Sequence, residues 1–328
     1  MTGMKAQRQN KPIDTGAVLL AQVPRLSAYP APVRQGIVYA LQKLVCEDRI
    51  NEFLLDNAAV QDFQFIDQVF SHLKIDFIAG DQDIEHIPPK GRVIIVANHP
   101  LGGLDGLALL RLISSVRNDV RIVANEILSN ISQLNNLLLS VDVMRGETKK
   151  ADIYRVRQAL NNDEAVIIFP AGEVSRAGAK GIRDRHWLPG FIQLANATRS
   201  PILPVHIKAR NSVLFYAISR ISQPLSMLML PREMLGFKGK ISFTIGQAIA
   251  PGVIEGLPLS RKNQAKLVSD HLRRIGSGKT PLFATQMQLI EKCDQHAIQA
   301  ELNQAEILGQ TADNKIIFLF DSMDQSVV

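Results

Sequence analysis

The sequence predicts an α/β protein: a mixed central β-sheet flanked by helices, with a helical N-terminal region and a helical C-terminal tail. Two observations carry this. From Lys74 onward, short apolar runs bounded by turn residues alternate with amphipathic stretches, the pattern of sheet and helix in layers. Several runs, VIIVA (93–97) and AVIIF (165–169) among them, are apolar at every position, as expected of strands covered on both faces.

The strands expected are KIDFIAG (74–80), RVIIVAN (92–98), VRIVAN (120–125), VDVM (141–144), AVIIFP (165–170), ILPVHIKA (202–209) and ISFTIG (241–246). Helices are expected at 105–117, 149–161, 189–197 and 212–220. Before the sheet, Ile37, Val38, Leu41, Leu44 and Val45 recur at helical spacing, which predicts a helix from about Pro32 to Asn57, with a second over 62–73. Ser260 is a candidate N-cap for a helix reaching about Ile275. GSGKTP then breaks the chain, a long helix is expected near 283–308, and KIIFLF (315–320) reads as a last strand. The division this suggests is a flexible tail (1–15), a helical region (16–73), a catalytic domain (74–258) and a C-terminal helical tail (259–328).

The chain has 328 residues, 46% hydrophobic and 21% charged, which excludes a disordered chain. Its net charge of +6 and pI of about 9.3 favour anionic partners without choosing among them. Cys46 and Cys293 lie far apart in no metal-type spacing, which fits a reducing compartment. The polar start has no secretory pattern, and no run of 18 apolar residues occurs, so membrane contact is expected from one side only.

The segment VIIVANHPLGGLDGLALL (93–110) concentrates the chemistry. A buried strand ends at Asn98, His99 follows, Pro100 to Gly103 turn the chain, and Asp105 is placed to cap the next helix. Ligands of open α/β sheets bind at such strand ends. A carboxylate on one imidazole nitrogen fixes the tautomer and raises basicity, so the other nitrogen can take a proton from a hydroxyl. Gly102 and Gly103 let backbone N–H groups approach a ligand as an oxyanion site. His186 reads as a surface or packing residue and His206 as a core histidine. The pair His99 and Asp105 shares no ligand spacing with them, so no metal is expected. GSGKT (276–280) lacks the first glycine and the strand of a phosphate loop, and no nucleophile elbow occurs.

NHPLGGLDG resembles the first signature block of the glycerolipid acyltransferase superfamily. Five residues separate His99 from Asp105 where four are usual, and this spacing resembles the haemolysin-like branch, which includes enzymes of ornithine- and other amino-lipid synthesis. SVDVMRG (140–146) resembles the second block, IIFPAGEVSRAG (167–178) the third, and SPILPVHIK (200–208) the fourth. The third block departs from the common Phe-Pro-Glu-Gly-Thr-Arg-Ser: Ala171 replaces the Glu and Val174 the Arg, which argues against a glycerol phosphate acceptor.

The resemblance implies an O-acyltransferase that moves a fatty acyl group from acyl carrier protein or coenzyme A to the hydroxyl of a lyso-aminolipid or lysophospholipid. His99 is then the base and Asp105 its partner. Asn98, Gly102, Gly103, Arg145, Gly172, Glu173, Ser175 and Arg176 are the residues expected to meet substrate, Glu173 through an ammonium or amide group. No cofactor and no nucleic-acid partner are implied, and the expected location is the cytoplasmic face of a membrane. VLFYAISRISQPLSMLMLPREML (213–235) reads either as an interfacial segment, with Leu214, Ile218 and Ile221 on one face, or as core helices. An acyl-thioester or lysolipid hydrolase and a non-enzymatic lipid-binding protein remain the alternatives.

Overall fold

Val93–Ala97 forms β2, whose five residues are all buried because both of its faces are covered. Val93, Ile95 and Ala97 enter one apolar cluster, and Ile94 and Val96 enter another on the opposite face. This is the alternation a pleated strand imposes. The computed structural model describes residues 11–141, 150–178 and 181–283.

The central sheet has seven strands. They are β1 (Phe77–Ala79), β2, β3 (Val120–Asn125), β4 (Leu138–Val141), β5 (Ala165–Ile168), β8 (Ile202–Lys208) and β9 (Ile241–Ile245), in the spatial order β1-β9-β8-β2-β5-β3-β4. β8, β2, β5, β3 and β4 run parallel, β9 runs antiparallel to β8, and β1 is parallel to β9. The sheet is therefore mixed, as expected. Each expected strand that lies within the described residues is present; of the fourth, expected at 141–144, residues 142–144 lie outside the described residues, and Leu138–Val141 forms β4 just before them. Two short strands not read from the sequence, β6 (Arg176–Gly178) and β7 (Gly181–Arg183), form an antiparallel pair outside the sheet.

The helices are α1 (Thr15–Gln22), α2 (Ala31–Leu44), α3 (Glu47–Asp56), α4 (Asp62–Leu73), α5 (Asp81–Glu85), α6 (Gly103–Ile113), α7 (Lys150–Asn161), α8 (Gly190–Thr198), α9 (Val213–Ile221), α10 (Gln223–Leu228), α11 (Leu230–Gly236) and α12 (Arg261–Gly276). Residues of α4 and α6 pack on one face of the sheet, and residues of α7, α8 and α12 on the other. Ser260 caps α12 by accepting from the Asn263 N–H at 3.3 Å. The helix expected near 283–308 and the strand at 315–320 lie outside the described residues.

The single helix expected over 32–57 is two helices, broken where Cys46 adopts a left-handed conformation (φ 57°). Glu47 opens the second. Its buried carboxylate accepts from Lys11 Nζ (3.0 Å), Gln42 Nε2 (3.3 Å) and the Thr15 N–H (3.0 Å). Asn51 adds two bonds of 2.8 Å to the main chain of Ile13. Residues 11–15, expected as part of a flexible tail, are thus tied to α3.

Candidate active site

β2 delivers the chain to Asn98 and His99 at its carboxyl end. The Asn98 carboxamide donates to the Ile207 carbonyl (2.8 Å) and accepts from the Ile207 N–H (2.7 Å). This pair fastens the loop to β8, so Asn98, expected to meet substrate, is instead engaged by the protein's own backbone.

His99 follows. Its Nδ1 lies 2.9 Å from Oδ1 of Asp105, whose side chain is wholly buried, while the imidazole keeps 18% of its surface exposed. Nδ1 itself is buried, so that exposure belongs to the rest of the ring. The second carboxylate oxygen of Asp105 accepts from the Leu101 N–H at 2.7 Å. Asp105 was expected to cap α6. The helix starts two residues earlier, at Gly103, with Gly102 as its N-cap, and Asp105 sits in the first turn and reaches back to the loop. The left-handed φ of Gly102 (84°) makes this entry possible, since L side chains rarely adopt it. A Cβ there would also meet Val174 Cγ2 at 3.3 Å. Gly102 and Gly103 open the helix, where N–H groups have no acceptor within the helix and the dipole favours negative charge.

Two further groups complete the surroundings of His99, and neither was read from the sequence. Phe169 stacks on the imidazole, ring centroids 3.9 Å apart at 26°. Asp184 lies beneath the loop. It accepts from the His99 N–H (3.2 Å), the Trp187 indole (3.0 Å) and the Ser175 hydroxyl. The Ser175 N–H in turn donates to the His99 carbonyl at 2.8 Å. Phe169 stood inside the third block, and Asp184 shares a short segment with the only tryptophan. Nothing in the linear order shows that both reach His99. Burial pulls the His99 pKa down, but the carboxylates of Asp105 and Asp184 outweigh it, and the net shift is upward. Burial pushes the Asp184 carboxyl up, against the three hydrogen bonds and the nearby imidazole.

The remaining expected residues divide. Gly172 has a left-handed φ of 66° with open space beside it, in the turn after β5. Ser175 is 2% exposed and faces Asp184, so it belongs to the wall and not to the opening. Glu173 accepts from Arg176 at 2.6 Å and lies 3.5 Å from Arg185 Nε. An incoming ammonium would compete with two guanidinium groups for it. Arg145 lies outside the described residues. His186 is exposed, and His206 sits within β8 with its pKa lowered by burial to about 4.

A buried strand, a glycine turn and a histidine beside a buried carboxylate make an arrangement chemically suited to general-base activation of a hydroxyl. The chain belongs to the acyltransferase family, which its sequence matches over residues 21–254. It is an enzyme of acyl transfer, which removes the non-enzymatic reading. The lyso-glycine lipid O-acyltransferase of Phocaeicola vulgatus is 31% identical over 221 residues, 65% of this chain and 78% of the relative. That of Bacteroides thetaiotaomicron is 30% identical over 240 residues, 71% of this chain and 86% of the relative. The solved 1-acyl-sn-glycerophosphate (LPA) acyltransferase PlsC from Thermotoga maritima is 18% identical, covering 80% of this chain and 92% of that one, with a TM-score of 0.40.

Proposed function

We propose that the protein transfers a fatty acyl group from an acyl thioester, on acyl carrier protein or coenzyme A, to the hydroxyl of a lyso-aminolipid. The observation that carries this is the approach of His99 Nδ1 to the buried Asp105 carboxylate at 2.9 Å, with part of the ring still exposed. The names of the two bacterial relatives support the acceptor class. Nε2 takes the hydroxyl proton as the oxygen attacks the thioester carbonyl. The tetrahedral oxyanion lies against the N–H groups of Gly102 and Gly103. Collapse breaks the carbon–sulfur bond, and His99 returns the proton to the departing thiolate, which leaves as the free thiol. A positioned base of this kind contributes roughly 10²–10⁴-fold in rate.

The enzyme works, in this reading, from the surface of a membrane. No helix among the described residues is long and apolar enough to cross one. α9 buries Phe215, Tyr216 and Ser219 and turns Val213 (86% exposed) and Ile221 (88%) outward, beside exposed Arg220. Ile218, expected on the same face, is partly buried against Phe215 and Met229. Apolar residues with arginine among them suit an interface with lipid phosphates.

The test incubates purified chain with acyl thioester, with and without lyso-lipid. Acyl-lipid forms only with the acceptor, and His99→Ala abolishes it while the fold persists. Full activity of His99→Ala would overturn the reading. Equal release of free acid with and without acceptor would favour the hydrolase.

A further inference from the structure

At the end of the sheet that carries His99 lies a concave feature. β8 runs parallel to β2 with Val205 beside Ala97, so Lys208 leaves the sheet near the level of His99. β9 starts at the same edge, with Ser242 opposite Lys208. Between the end of β8, α11 and the start of β9 an open cavity of about 830 Å³ is walled by Lys208, Arg210, Arg232, Lys238, Lys240 and Glu233. The five cations are exposed, and none joins an ion pair among the described residues. Elsewhere arginines are matched, Arg92 with Asp163, Arg111 with Asp67 and Arg117 with Asp119. The one carboxylate in the wall, Glu233, already accepts from the Ser212 N–H (2.7 Å) and hydroxyl (2.8 Å).

The same wall reaches the catalytic loop. Asn211 lines the cavity, and its carboxamide donates to the carbonyl of Pro100, next to His99, at 3.1 Å. Five unmatched cations in one hollow repel each other and focus a positive field until an anion enters. The volume lies within the range of small-molecule sites, and lysine with arginine is the usual pairing for phosphate oxygens.

We propose that this cavity binds the phosphates of the acyl donor's carrier, a coenzyme A thioester whose pantetheine arm lies toward His99. The proposal rests on the acyl-transfer reading. Five cations against one engaged carboxylate match a ligand with several phosphates. A single phosphodiester headgroup would leave most of that charge unmatched.

The test measures binding of adenosine 3′,5′-bisphosphate to the full chain by calorimetry, for the native protein and for Lys238→Glu/Lys240→Glu. The milder Arg232→Gln serves if the double variant fails to fold. Binding weakens by roughly tenfold or more, as expected for lost charge-assisted contacts. In parallel, the native kcat/KM preference for S-acyl-coenzyme A over S-acyl-pantetheine falls toward unity in the variant. Charge-dependent nucleotide binding without acyl transfer would uphold the cavity's assignment and strike only at the reaction. Nucleotide binding that is absent or indifferent to the substitutions overturns the proposal. So does a variant that loses affinity only for anionic vesicles or for an acidic carrier protein.

Discussion

The imidazole of His99 stacks on the ring of Phe169, with centroids 3.9 Å apart. Asp105 fixes one edge of the imidazole, and Phe169 fixes its plane, so the ring has little freedom left to turn. Phe169→Ala removes that wall. We expect kcat to fall about tenfold, since misplacing a catalytic group by about 1 Å can cost 10²-fold. Phe169→Tyr, which keeps a ring, recovers most of the rate. Steady-state kinetics with matched thermal melts check this.

Asp184 holds the loop from beneath and adds negative charge near His99. A general base acts as neutral imidazole, so the rate rises with pH through the His99 pKa. Both carboxylates hold that pKa above its ordinary value. Asp184→Asn removes one of them, and the acid limb of the kcat/KM profile moves to lower pH. Asp105→Asn, which removes the larger carboxylate contribution, moves it further and lowers the plateau. A limb that stays in place in both variants would separate His99 from the rate.

Gly102 and Gly103 are adjacent but not equivalent. At Gly102 the backbone lies in a region unfavourable to side chains, and a Cβ meets Val174 and Leu230 at 3.3–3.4 Å. At Gly103 no atom lies within 4 Å of the added Cβ. Gly102→Ala costs about 1–3 kcal/mol in denaturant unfolding. Gly103→Ala leaves the fold near its native stability.

Two histidines away from the site set an acid limit. Burial lowers both His206 and His271 to about 4, and the Nδ1 of His271 accepts from the N–H groups of Leu282 (3.0 Å) and Phe283 (3.2 Å). Their folded pKa values lie below the unfolded value of 6.5, so the unfolded chain binds more protons between the two. Stability is therefore full above about pH 6.5 and declines as pH falls toward 4, by up to a few kcal/mol per histidine. Unfolding midpoints across this window check the sign. A variant with leucine at 206 flattens part of the slope.

The apolar runs of the strands, the spacing of the helices and the order strand, His99, glycine turn and Asp105 are all local properties of the chain. They determined the α/β architecture and the placement of His99 and Asp105 on one loop, because a buried strand must be apolar throughout and a turn into a helix needs glycine. Tertiary packing decided what surrounds them. It brought Asp184 and Phe169, 85 and 70 residues further along, against one imidazole. It turned Asn98 and Ser175 into the wall and gathered cations from β8, α11 and the approach to β9 around one cavity. Such approaches depend on which strands lie side by side and in what register, and no periodicity within a single segment encodes that.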